Sequence, residues 1–180
     1  MNLYFIAVIP DEILMEKVKN MKLEIQQRFN AKHALKSPAH ITLQMPFKRN
    51  EEFEHELEEV LKNFATKQSS FKLHLKNFGC FKPRVIYIDV ENPSPLQHLH
   101  AGLKKQLITK LSFDQKEVTQ NVTPHMTLAT RDLEAKQFYK AWPEYEKRTF
   151  NAEFNIESIF LLKHNEKFWD IYREFGFNEK

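Results

Sequence analysis

Two histidines, each followed two residues later by a threonine, are the groups most able to do chemistry in this 180-residue chain. The tetrapeptide His40-Ile41-Thr42-Leu43 returns as His125-Met126-Thr127-Leu128, with a proline just ahead of each copy (Pro38, Pro124). With eight histidines, eight threonines and eighteen leucines, chance placement gives about 0.04 copies of His-x-Thr-Leu, so two copies are a signal. In a β-strand, residues i and i+2 share a face. His40 and Thr42 therefore point one way, while Ile41 and Leu43 pack on the other side. Two such strands side by side offer two imidazoles and two hydroxyls to one space. Imidazole titrates near neutral pH and serves as acid or base, and hydroxyls can steady developing charge. That set suits proton-coupled chemistry on a phosphate.

The elements that must position these residues follow from periodicity. Residues 2–9 read as a buried strand, and Asp11 caps a helix carrying Leu14, Val18, Met21 and Ile25 at helical spacing. Residues 30–38 form a loop, and the first motif strand covers about 40–46. Phe53, Leu57, Leu61 and Phe64 mark a second helix, with the acidic run 51–56 as its solvated face. Stretches 70–76 and 84–90 alternate as strands. Ser94-Pro95 supplies an N-cap and a first-turn proline for a helix carrying Leu96, Leu99, Leu103 and Leu107. The second motif strand spans about 125–130, and Asp132 opens a helix with Ala135, Phe138, Trp142 and Tyr145. Closing strands lie near 151–162 and 167–175.

The order strand, helix, motif strand, helix, strand thus occurs twice. Such a duplicated unit predicts an α+β fold with two pseudo-symmetric lobes. Each lobe is expected to be a mainly antiparallel sheet with helices packed outside, around a central cleft carrying both motifs. The hydrophobic faces are too small for independent halves, so residues 1–180 read as one bilobal domain with lobe halves 1–91 and 92–180.

Composition bounds the rest. A hydrophobic content of 42% supports a packed core, while sixteen Phe and three Gly argue against a glycine-rich phosphate loop. The net charge of +3 permits a polyanionic substrate without demanding one. A lone cysteine, Cys80, excludes an intramolecular disulfide and reads as a small core residue in a reducing compartment. The apolar run 3–9 is too short for a signal-peptide core or a membrane span. A monomeric cytoplasmic protein without membrane association is expected. No His-Glu-x-x-His or cysteine cluster suggests a metal site, and His33, His55, His74, His98, His100 and His164 read as solvated surface.

The chain resembles the 2H phosphoesterase superfamily, in the branch of the 2′-5′ RNA ligases and RNA 2′,3′-cyclic phosphodiesterases. The paired motifs at 40–43 and 125–128 carry the resemblance. Leu3-Tyr4-Phe5-Ile6-Ala7-Val8-Ile9-Pro10 is similar to the family's first strand, and Phe78-Gly79-Cys80-Phe81-Lys82-Pro83-Arg84-Val85 to its entry into the second lobe. The chain departs from the family pattern at Gln44-Met45-Pro46-Phe47 after the first motif and at Thr130-Arg131 after the second. These positions bear on substrate more than on chemistry.

The resemblance implies an enzyme that needs no metal or other cofactor and opens 2′,3′-cyclic phosphate ends of RNA to 2′-phosphates, with 2′-5′ ligation as a related reaction. It implies His125 as base toward water and His40 as acid toward the departing ribose oxygen. Thr42 and Thr127 would donate to the non-bridging oxygens. Candidate substrate contacts are Phe47, Phe81 and Tyr87 for base stacking, and Lys48, Arg49, Arg84 and Arg131 for flanking phosphates. Two other readings stay open: a phosphodiesterase for small cyclic nucleotides or ADP-ribose cyclic phosphate, and a non-catalytic RNA- or nucleotide-binding module.

Overall fold

Residues 1–178 are described by a computed structural model. In chain order the strands are β1 (Asn2–Val8), β2 (Ile41–Arg49), β3 (Phe71–Phe81), β4 (Val85–Val90), β5 (His125–Ala129), β6 (Asn151–Ile156), β7 (Ser158–His164) and β8 (Trp169–Gly176). The α-helices are α1 (Glu12–Phe29), α2 (Glu54–Ala65), α3 (Ser94–Leu111) and α4 (Ala135–Tyr145). Two four-stranded antiparallel sheets result, ordered β2-β1-β7-β8 and β5-β4-β3-β6. Written this way the orders superimpose: each motif strand is an edge, and its neighbour is the strand that opens its repeat. The α+β fold with two pseudo-symmetric lobes is therefore present. The lobes are not sequence halves, however, because each sheet combines strands from both sides of residue 91. The expected strand 151–162 is likewise two strands, one in each sheet, divided at Glu157.

The motif strands fold as their patterns dictate. Ile41 and Leu43 are buried while Thr42 is half-exposed, and Met126 and Leu128 are buried while Thr127 is half-exposed. The buried faces of both sheets and all four helices enter one continuous hydrophobic cluster running from Tyr4 to Phe175. A second, small cluster of Phe5, Ala7, Ile9 and Leu162 lies on the opposite face of β1 and β7. Ala7 pairs with Thr42 across β1 and β2, which puts this second cluster on the same face as His40 and Thr42.

Helix ends explain where the motif strands begin. Asp11 caps α1 by accepting from Leu14 N at 2.9 Å, and Asn30 closes it in the left-handed region, donating its N–H to Gln26. Within α1, Met21 is only half-buried; Lys22 takes the buried place between Val18 and Ile25. Two other helix-start residues act differently from expectation. Ser94 lies inside α3 and makes no side-chain cap, and Asp132 leaves the start of α4 to Glu134. The acidic start of α2 is not wholly solvated either. Glu54 is buried and accepts hydrogen bonds from Tyr4, Tyr172 (2.5 Å), Lys163 (2.6 Å) and Asn2 (3.1 Å), tying α2 to β1, β7 and β8.

Candidate active site

The edge strands β2 and β5 meet, so the two motifs come together where the sheets converge. Helices cross between the lobes, α1 packing against β5 and α3 against β2. His40 and His125 are held in the same way. His40 Nδ1 lies 2.8 Å from the Pro38 carbonyl, and His125 Nδ1 lies 2.7 Å from the Thr123 carbonyl. A carbonyl only accepts, so both rings carry hydrogen on Nδ1 and leave Nε2 for chemistry. Among the described residues, neither the Thr42 nor the Thr127 hydroxyl is committed to another protein group.

Side chains that follow each motif brace the loop that precedes the other. Gln44, 1% exposed, donates to Glu117 O at 3.1 Å and accepts from Thr119 N at 3.0 Å, in the approach to His125. Asp132 accepts from Lys32 N at 3.0 Å and His33 N at 2.9 Å, in the approach to His40. The two motifs are thereby fixed relative to one another through backbone as well as packing. His100, expected on the surface, is buried and directs Nε2–H to Thr119 O at 3.1 Å, bracing the same loop as Gln44.

Aromatic rings wall each imidazole. Phe5 lies 4.9 Å from His40, with Trp169 edge-on to Phe5 at 4.6 Å and His164 beside Trp169 at 4.9 Å. On the other side Tyr87 and Phe81 lie 4.9 and 5.2 Å from His125. Tyr87 crosses Gly79 of the neighbouring strand so closely that a Cβ there would stand 2.4 Å from the ring. A cavity of about 700 Å³ lies between α1, the chain leading into His40 and β8, bounded by Met15, Lys22, Pro38, Ala39, Phe168 and Trp169 among others; neither imidazole nor either motif threonine lines it.

The two imidazoles differ electrically. Burial, followed by the Lys22 charge and then His125, pushes His40 down to about 4 against the opposing pull of its Pro38 bond. Burial also lowers His125, but the Thr123 bond and the Asp89 carboxylate, whose residue is the cross-strand partner of His125, act in the other direction.

The remaining sequence candidates divide. Tyr87 and Phe81 are at the site, and Phe81 is 42% exposed. Phe47 is not. It is buried in the main core against Phe113 at 5.0 Å and Tyr4 at 5.9 Å, because its strand turns that side chain inward. Arg84 is exposed on the turn after Phe81, its N–H bonded to Phe81 O at 3.1 Å. Arg131 is exposed just past β5 with φ 55°, and its charge bears on His33. Arg49 is consumed by a paired contact with Glu117 and lies 4.0 Å over the Phe113 ring, whereas Lys48 is exposed. Gln44, expected to bear on substrate, braces the 117–119 loop instead, and Lys22 and Gly79 belong to no motif. A lysine in an apolar helix stripe and a glycine inside a strand were the available signals. Among the described residues no three His, Cys, Asp or Glu side chains are grouped to hold a metal ion, and no helix is long and apolar enough to cross a membrane.

Two sheets whose edge strands bring a His-x-Thr pair each to a shared cleft define a 2H phosphoesterase. The chain matches the family model described as the 2′-5′ RNA ligase superfamily over residues 9–167, and it belongs to that family. A protein of Geobacillus thermodenitrificans named "Putative phosphoesterase" is 27% identical over 175 residues, covering 96% of this chain and 94% of the relative. Among solved structures, TT0787 of Thermus thermophilus has a TM-score of 0.68 at 19% identity, covering 98% of this chain and 97% of its own. E. coli LigT in apo form also has a TM-score of 0.68, at 16% identity and with 99% and 98% covered. These two likenesses establish the shared fold.

Proposed function

We propose that the protein is a metal-independent cyclic phosphodiesterase that opens 2′,3′-cyclic phosphate ends of RNA to 2′-phosphates. The observation that carries this reading is the matched pair of clamped imidazoles, each with Nδ1–H on a backbone carbonyl and a threonine two residues on. In hydrolysis, water attacks phosphorus in line with the ribose 3′-oxygen, the new P–O bond forms and the P–O3′ bond breaks. One imidazole takes the water proton and the other donates a proton to O3′. Thr42 and Thr127 donate to the non-bridging oxygens, where charge grows. A 5′-hydroxyl in place of water gives a 2′-5′ linkage by the same proton movements.

The electrostatics favour a division of labour opposite to the one the resemblance implies. Burial, and after it Lys22, disfavours a proton on His40, whereas on His125 Asp89 works against the burial. His40 is therefore assigned as base and His125 as acid. Phe81, exposed beside His125, offers a stacking face for a base, as does the half-buried Trp169 behind Phe5 on the His40 side, and Arg84 offers a cation.

The test is a chelator-treated assay on an oligonucleotide ending in a 2′,3′-cyclic phosphate. His40→Ala and His125→Ala are each expected to lose several orders of magnitude in turnover while remaining folded. Wild-type turnover by either variant overturns the reading. A bridging sulfur in place of O3′ leaves without a proton, so it should restore His125→Ala and not His40→Ala. The opposite pattern returns the roles to those the resemblance implies. A second reading, a small cyclic nucleotide as substrate, is favoured by the 3′-AMP complex of E. coli LigT. Faster turnover of a cyclic mononucleotide than of the oligonucleotide would select it.

A further inference from the structure

Lys22 is the buried charge that the proposed reaction leaves unused. It lies on the core-facing stripe of α1 among Leu14, Val18, Ile25 and Phe29, and is 3% exposed. Among the described residues no carboxylate pairs with it. Its ammonium donates instead to three carbonyls, Ala34 at 2.9 Å, Ser37 at 3.1 Å and Pro38 at 3.4 Å. Those carbonyls belong to the 3-10 turn His33–Lys36 and the residues just after it, which carry the chain into His40. Three N–H donors meet three acceptors, so the ammonium is saturated by neutral oxygens. A buried cation without a counter-ion costs several kcal/mol, and an aliphatic side chain would fill the same stripe without that cost. Packing alone therefore does not account for lysine at this position.

The Pro38 carbonyl is the link. It accepts both from Lys22 and from His40 Nδ1, at 2.8 Å. The second repeat has no such arrangement. Thr123 O receives His125 Nδ1 and no lysine, and the Asp89 carboxylate is the charge that bears on His125. The other charged groups along this side of His40 are Glu12, Glu16 and Lys19 of α1, Lys36 of the 3-10 turn and Asp170 of β8. All five are exposed, and across the cleft stands His125 itself. Lys22 alone is both buried and bonded to the loop.

We propose that Lys22 is a positioning residue for His40. It clamps the 34–38 carbonyls so that Pro38 O fixes the Nδ1–H tautomer, and it makes His40 the imidazole that stays unprotonated. This rests on the acid–base reading above and deepens it, because it names a group that, beside burial and Asp89, sets His40 apart from His125.

The experiment has an arm independent of activity. Imidazole ¹⁵N titration of the unaltered protein should show His40 as the Nδ1–H tautomer at neutral pH, titrating below His125. In Lys22→Met, which keeps the length and loses the charge, the His40 titration should move up, while burial still holds it below that of an ordinary histidine. With a cyclic-phosphate substrate, kcat should fall roughly 10- to 100-fold. KM should stay within about threefold, and the acidic limb of the rate profile should move to higher pH. Lys22→Arg, which keeps the charge, should hold that limb near its original position. A merely structural lysine would lower activity in Lys22→Met without moving the limb or the titration. That result overturns the proposal, as does a wild-type His40 that titrates above His125 or carries its proton on Nε2. If the Met variant does not fold, the same titration in Lys22→Gln decides. Failure of the protein to open any cyclic phosphate would refute the reaction, while the titration arm would still report on Lys22.

Discussion

Gly79→Ala tests the packing behind His125. The added Cβ would stand 2.4 Å from Tyr87 Cε2, 2.5 Å from Cζ and 2.7 Å from the hydroxyl oxygen. Ordinary contact begins at 3.4 Å, so the ring must retreat by about 1 Å. It has little room to do so, since Phe81 and His125 stand 4.8 and 4.9 Å from it, centre to centre. Overpacking of this kind costs about 1–3 kcal/mol, and lost aromatic contact adds about 0.5–1.5 kcal/mol. A destabilisation of about 2–4 kcal/mol follows, seen as a fall in Tm of roughly 5–15 °C. Because the displaced ring bears on His125, turnover should also fall by roughly 10- to 100-fold. Gly79 does not have a positive φ, so alanine is otherwise welcome in this strand. In a Tyr87→Ala background the same substitution should therefore stabilise, by about 0.5–1 kcal/mol. Denaturant unfolding of the four proteins gives the coupling directly. Equal effects of Gly79→Ala in the two backgrounds would refute the reasoning, because the cost would then lie in the backbone and not against the Tyr87 ring.

Two further predictions concern protons. The base must be unprotonated and the acid protonated, so kcat/KM should rise with pH through the His40 value of about 4 and fall through that of His125, which is held below the ordinary 6.5. A bell with its maximum on the acid side of 6.5 is expected, and a maximum above pH 7.5 would contradict the environments described. Glu54 should dominate acid stability. Burial opposes its ionisation, but Lys163, Tyr172, Tyr4 and Asn2 together hold it down at about 2, against 4.5 for the free group. Its contribution is complete above 4.5 and is lost as pH falls toward 2, amounting to up to about 3 kcal/mol. In Glu54→Gln, unfolding free energy measured between pH 5 and pH 2.5 should therefore fall less steeply than in the wild type; an unchanged slope would remove Glu54 from this role.

The parts of the fold that were legible in the sequence are those written in local periodicity. The alternation Ile41/Leu43 against His40/Thr42 needs no partner to declare which side is buried, and the same holds for Met126/Leu128. What periodicity omits is where a strand changes company. At Asn77, with φ 59°, β3 breaks its alternation and bulges, so a strand readable over 70–76 continues unseen to Phe81. At Glu157 the chain passes from one sheet to the other between two strands that look continuous. Two side chains differ from their local pattern for a related reason. Asp132 precedes a helix and has the chemistry of a cap, yet its carboxylate goes to backbone N–H groups 99 and 100 residues earlier in the chain. Phe47 has the chemistry of a stacking platform, yet its strand turns it into the core.

The duplication itself poses a problem that its symmetry cannot solve. Two copies of one motif, clamped identically, give two imidazoles of equal basicity, and in-line displacement needs one proton acceptor and one proton donor at the same pH. The asymmetry must come from residues outside the repeat. On the His40 side it is deep burial together with an ammonium reached through the Pro38 carbonyl, and on the His125 side a carboxylate on the adjacent strand. Lys22 and Asp89 carry no motif of their own; Lys22 appeared in the sequence as a lysine next to Met21 on a helix. In the proposed reaction the motif therefore supplies the two imidazoles, while the direction in which the proton would move is set by groups recognisable only once α1 is folded against the 34–38 loop and β4 is paired with β5.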